Sequence, residues 1–166
     1  MRRPLSIAAV VAGLVLADQI VKMLAIAHFP AETDFLTVIG GFFHLRCLHN
    51  TGCAWSMFEG NVWPLAIFGL LVFGVLLWKR RAVFEASLSG WRLVVSLVGE
   101  RLLYGGILGN VIDRIFRGSV IDMFDFQFGD YHYPCFNLAD VYICVAAGLL
   151  VILSFLPRAK AEPEDR

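Results

Sequence analysis

Charged residues are scarce in this 166-residue chain: Lys and Arg number 14 and Asp and Glu 14, together 17% of the residues, with no formal net charge. Outside short flanking clusters no basic stripe with interleaved aromatics is present, so nothing marks a nucleic-acid partner. None of the four cysteines forms a Cys-x-x-Cys pair, which removes the usual spacing of a zinc site. His28, His44, His49 and His132 are scattered without ligand spacing and read as surface or interface residues. No internal repeat or low-complexity segment is found. What abounds is apolar: 58% of residues are hydrophobic and the mean hydropathy is +0.71, the composition of an integral membrane protein.

Four apolar stretches, roughly Leu5 to Ala27, Val62 to Trp78, Leu93 to Ile112 and Leu138 to Leu156, are each close to the ~20 residues that cross hydrocarbon. The fold class expected is an all-α polytopic membrane protein with four transmembrane helices, a single domain over residues 1–156 and a disordered cytoplasmic tail over 157–166. Arg2 and Arg3 before an apolar run also fit a cleavable signal peptide, but the run is too long for one and contains Asp18 and Lys22.

Basic residues set the orientation, because Lys and Arg accumulate in short cytoplasmic loops. Arg2 and Arg3, the group Lys79, Arg80, Arg81 and Arg92, and the tail's Arg158, Lys160 and Arg166 fall on one side if the segments alternate. Both termini are then cytoplasmic, and residues 28–61 and 113–137 are external. Phe43, Leu45 and Cys47 alternate with polar neighbours in the first external region. Met123 to Phe128 alternate in the second, before a Gly129-Asp130 turn, so a small external sheet is expected. Cys47, Cys53 and Cys135 lie on the side where disulfides persist. Either Cys53 and Cys135 are bridged or all the thiols are free.

Polar groups beside a bilayer are costly and mark functional sites by default. Asp18 and Lys22 are one helical turn apart and pair on one face. Asn110, Asp113 and Arg114 share a face at the outer end of the third segment, where Arg114 is suited to bidentate pairing. Asn50 and Gly52 enter from the first external loop, and Asn137 precedes Asp140. Gly105, Gly106 and Gly109 allow close helix packing. Glu100 and Arg101, some two turns into the third segment, snorkel, pair with neighbours, or show that the helix begins earlier. Asp122 and Asp140 each stand at the outer mouth of an apolar segment. Two carboxylates that meet share a proton and titrate apart, which suits acid/base chemistry.

Five ordered elements carry a resemblance: Asp18-Gln19-x-x-Lys22, Asn50-x-Gly52-x-Ala54-x-Ser56, Gly109-Asn110-x-x-Asp113-Arg114, Val120-Ile121-Asp122 and Phe136-Asn137-x-Ala139-Asp140. Together they resemble the lipoprotein signal peptidase family, signal peptidase II, over nearly the whole chain. The resemblance implies an aspartic endopeptidase of the bacterial inner membrane whose catalytic pair is Asp122 and Asp140. Asp18, Lys22, Asn50, Gly52, Asn110, Asp113, Arg114 and Asn137 support it or the substrate. The implied substrate is a prolipoprotein whose Cys already carries diacylglycerol, cut just before that Cys by a monomer near the external face, with neither metal nor organic cofactor. The implied fold adds an external β-cradle and a short external helix. Cys53 stands where the family commonly has Ala, and Cys135 where a small apolar residue is usual. Two other classes remain: a transporter using the same acids as a proton path, and a catalytically silent membrane protein whose acids serve helix packing.

Overall fold

A computed structural model describes residues 4–53, 57–85 and 88–156. Ala54 and Ser56 of the second motif, Arg2 and Arg3, and the 157–166 tail lie outside the described residues. Four helices are present: α1 (Pro4–His28), α2 (Val62–Trp78), α3 (Gly90–Arg117) and α4 (Leu138–Phe155). Three of them, α1, α3 and α4, are long and apolar enough to cross a membrane. The 17 residues of α2 span only ~26 Å at 1.5 Å per residue. Its Pro64 falls in the first turn, where no intrahelical donor is lost.

The third helix is the centre of the bundle, packed against α1, α2 and α4. Large apolar side chains such as Leu16, Ile20, Phe68, Leu71 and Ile152 are exposed on the outside, while Asp18, Lys22 and Asp113 are fully buried. That inversion of the soluble pattern suits a chain whose surrounding solvent is lipid. Close approach of α4 to α3 depends on Gly106. A Cβ there would sit 2.5 Å from the Ala139 carbonyl oxygen and 2.6 Å from Ile143 Cγ1. Since the obstacle includes backbone, Gly106→Ala should lower stability by about 1–3 kcal/mol, the usual cost of overpacking. Thermal unfolding in detergent checks this, with Gly148→Ala as control because a Cβ at Gly148 meets nothing within 4 Å.

Helix α3 begins three residues before the expected Leu93 and ends five after Ile112, stopped by Gly118 in the left-handed region (φ 71°). Glu100 is therefore three residues deeper in the helix than the sequence indicated. It is fully buried and paired with Arg80 at 2.5 Å (Nε to Oε1) and 3.0 Å (Nη2 to Oε2). Arg101 turns back to the Leu97 carbonyl. Arg80 also meets Glu85, on a π-helical turn over Arg81–Glu85 that follows α2.

The external segments build one four-stranded antiparallel sheet in the order β1 (Phe35–Ile39), β2 (Phe43–Asn50), β3 (Val120–Phe128), β4 (Tyr131–His132). The short external helix implied by resemblance is not seen among the described residues, where 57–60 form turns. All four cysteines are free, so the Cys53 to Cys135 bridge is not formed.

Candidate active site

Chain punctuation places the two carboxylates. Gly118 ends α3, and the chain immediately pairs with β2, so Asp122 is the third residue of β3, opposite Leu48, rather than the end of an apolar span. A bulge between Leu45 and Leu48 adjusts the register there. Asp140 lies in the first turn of α4, in a capping box. The Asn137 side chain accepts the Asp140 N–H at 3.0 Å, and the Asn137 N–H donates to Asp140 Oδ2 at 3.1 Å. Asn137 joins the two sites, because its Nδ2 donates to Asp122 Oδ1 at 2.7 Å.

Every carboxylate oxygen of the pair accepts one N–H. Asp122 Oδ2 takes Asn50 Nδ2 at 2.9 Å, and Asp140 Oδ1 takes Asn110 Nδ2 at 2.7 Å, completing the four. The orientation of all three amides is determined by what meets their oxygens. Lys22 Nζ, which can only donate, faces Asn110 Oδ1 at 3.1 Å. The Gly52 N–H faces Asn50 Oδ1 at 2.9 Å, and the Asp140 N–H faces Asn137 Oδ1. Each amide therefore has only its NH2 left to turn toward a carboxylate.

Behind this layer lies a buried charge cluster. Lys22 Nζ is 2.8 Å from Asp18 Oδ2 and 2.7 Å from Asp113 Oδ2, all three side chains being 0% exposed. Asp18 Oδ1 accepts the Ala139 N–H at 2.9 Å and so fixes the start of α4. Asp113 Oδ2 accepts the Ile121 N–H at 3.2 Å and so fixes the strand position beside Asp122. Gly109 makes room for this, since a Cβ there would lie 2.7 Å from Asp18 Oδ2. Arg114 donates to the Gly52 carbonyl at 2.9 Å and to the Asn110 carbonyl at 3.4 Å, holding the loop after β2 against α3. Its contacts are to carbonyls, not the bidentate carboxylate pair expected.

Two participants were not among the candidates. Gln19 donates to Asp113 Oδ1 at 3.1 Å and to the Gly109 carbonyl at 3.3 Å. Arg117 binds both Asp113 and Gln19 Oε1. The i, i+4 spacing of Asp113 and Arg117 was the available signal. For Gln19 it was only adjacency to Asp18.

Asp122 and Asp140 line a cavity of about 440 Å³ together with the apolar side chains of Val141, Ile143 and Val145 of α4. Burial, then the negative charge of Asp140, pushes Asp122 from an ordinary 3.8 up to about 7, against the two amide donors that favour its ionised form. A neutral Asp122 is thus abundant below pH 7 and lost above it. Cys135, which lines the same cavity, is pushed up to about 12 mainly by burial, which leaves it a thiol and not a nucleophile.

Known proteins resemble this chain over most of its length. The family model described as Signal peptidase (SPase) II matches residues 10–156. A lipoprotein signal peptidase of Bacillus pumilus is 35% identical over 150 residues, 90% of this chain and 92% of that protein. That of Serratia marcescens is 37% identical over 159 residues, covering 93% and 89%. A solved structure of a bacterial membrane enzyme superposes with a TM-score of 0.75 at 24% identity, over 97% of this chain and 94% of the other. A second, also a bacterial membrane enzyme, gives 0.73 at 26% identity, over 90% and 92%. With two carboxylates held by a set of oriented amides, and a family match over nearly its full length, the chain belongs to the signal peptidase II family.

Proposed function

We propose that this protein is an aspartic endopeptidase that removes the signal peptide from diacylglyceryl-modified prolipoproteins, cutting just before the lipidated Cys. Asp122 and Asp140 are its catalytic pair. The observation that carries the reading is the ring of four N–H donors around the two carboxylates, which holds both in one place while leaving them open to a cavity. In the proposed cycle Asp122, whose affinity for a proton is raised by burial, acts as the acid and its partner as the base. Asp140 takes a proton from water as the water oxygen attacks the scissile carbonyl carbon, and Asp122 gives its proton to the carbonyl oxygen. On collapse, Asp140 passes its proton to the departing Cys nitrogen as the C–N bond breaks. Asp122 recovers a proton from the hydroxyl, and the pair is restored. No cofactor takes part.

The same reading has all four helices cross the bilayer, α2 being the short one, with both termini cytoplasmic and the sheet at the external face of the inner membrane. Residues 1–156 then form one peptidase domain, acting as a monomer. The basic residues that flank the helices on one side support that orientation. Incubating the purified protein with a diacylglyceryl-modified prolipoprotein and its unmodified form, read by mass spectrometry, tests the activity. Cleavage of the modified form alone, just before its Cys, is the expected result. Cleavage of neither form by folded protein would leave the acids with a transport or packing role.

Because the acid must be neutral, kcat/KM should fall as pH rises through about 7. Asn50→Ala removes a donor that favours the ionised form, so its falling limb should move to higher pH. A limb that stays in place would remove Asn50 from control of the proton.

A further inference from the structure

The cavity with the apolar wall is not the only space at the catalytic pair. A second one, of about 580 Å³, shares Asn50, Cys53, Asp122 and the Tyr133 to Cys135 stretch with it and then diverges. Apart from Leu48 its remaining wall is polar, and its ionisable side chains come from the sheet and the turn at 57–60: Arg46 and His49 on β2, Asp125 on β3, His132 on β4, and Glu59. One cavity is thus bounded by Asp122 and the apolar side chains of α4, and the other by Asp122 and polar side chains of the sheet. A peptide cut at this point has two sides of equally unlike chemistry. On the amino side is an apolar signal helix that remains in the bilayer, and on the carboxyl side is a mature segment destined for water.

Resting on the peptidase reading above, we infer that the polar cavity receives the first residues of the mature lipoprotein, and that its charge favours a basic residue there over an acidic one. The charge balance follows from the partners. Arg46 donates to the Glu32 carbonyl at 2.7 Å and lies 3.6 Å from Asp125 Oδ2, so one cation is opposed by one carboxylate. Glu59 is exposed, and among the described residues its carboxylate has no partner. The catalytic pair aside, and by formal charge with both histidines counted as uncharged, the cavity carries one uncompensated negative charge, to which an ionised Asp122 adds. A substrate ammonium entering it is attracted, and a carboxylate is repelled, within a cleft whose low-dielectric walls focus the field.

The test uses the full-length enzyme in detergent at pH 7.5 and three diacylglyceryl peptides that differ only in the two residues after the lipidated Cys, which are Lys, Gln or Glu. The expected order of kcat/KM is Lys, then Gln, then Glu, with about 3- to 10-fold between the extremes at low salt. The spread should shrink in ~0.5 M salt, where the screening length falls to a few ångströms. Glu59→Gln should narrow the ratio of the Lys peptide to the Glu peptide. Equal rates for all three peptides, or the reverse order, overturns the inference and leaves the peptidase assignment standing. If none of the three is cut, the peptidase assignment fails and this inference falls with it.

Discussion

Asp122→Asn and Asp140→Asn are each expected to lower the rate of prolipoprotein cleavage by at least ~10³-fold while leaving substrate binding measurable, because in the proposed mechanism each removes one of two groups that hand protons to and from the same intermediate. The two substitutions should not add. Once either carboxyl is gone the proton cycle is broken, so the double variant should be no slower than the slower single one by more than a few-fold. Geometry makes Asp122→Asn informative for a second reason. Both Asp122 oxygens face amide NH2 groups, from Asn50 and Asn137. An Asn in that place sets an NH2 against an NH2 whichever way it turns. Part of its effect will therefore be structural, and a melting temperature must be measured beside the rate. Asp140→Asn retains an oxygen for the Asn137 N–H, so the cap of α4 survives, but its NH2 then faces the Asn110 NH2, and its melting temperature must be measured beside the rate as well. A single variant that keeps more than about a tenth of the wild-type rate sinks the assignment of that residue.

The pH dependence of stability separates the roles again. Asp122 binds its proton more tightly in the fold than at its ordinary 3.8. Its contribution is therefore fully present below about pH 4 and is lost as pH rises through about 7. Asp122→Asn should flatten that part of the stability profile.

The legible parts of this molecule are those written in local spacing. Asp18 and Lys22 are one turn apart, and they pair as that spacing implied. The apolar runs identified the helices for the same reason, but the limits of α3 did not follow. Its ends, Gly90 to Arg117, are polar turns outside the apolar run, and hydropathy does not see them. Contacts that join distant parts of the chain were hidden. Glu100 looked out of place in an apolar segment until Arg80, twenty residues away and on the far side of a turn, was seen to meet it. Gln19 looked like a neighbour of Asp18, and its bonds to Asp113 and Arg117, more than ninety residues away, give it a place in the cluster. The amide orientations around Asp122 and Asp140 are a third case. Asn50, Asn110 and Asn137 could be picked out as polar residues near the site, but the direction each NH2 takes depends on which donor meets its oxygen, and that is a fact of three dimensions.

Lys22→Met is expected to destabilise the protein by ~3–5 kcal/mol, the usual cost of removing one partner from a buried ionic cluster. Lys22 is the only cation that touches both Asp18 and Asp113 among the described residues, and all three side chains are shut off from solvent. Without it, two carboxylates face each other in a site that Arg117 reaches only from the Asp113 side. Adding Asp18→Asn should restore much of the melting temperature, since the extra negative charge is gone and the Asn oxygen can still accept the Ala139 N–H that fixes α4. Activity should not return with it. Asn110 turns its NH2 to Asp140 because an ammonium meets its oxygen, and with Met at position 22 nothing holds the amide that way round. A double variant as stable as the wild type but at least ~10-fold slower is the outcome the amide argument requires, a loss typical of a supporting residue that positions a reactive one. If stability and full activity recover together, Lys22 serves only to neutralise the buried acids, and the orientation of Asn110 has another cause.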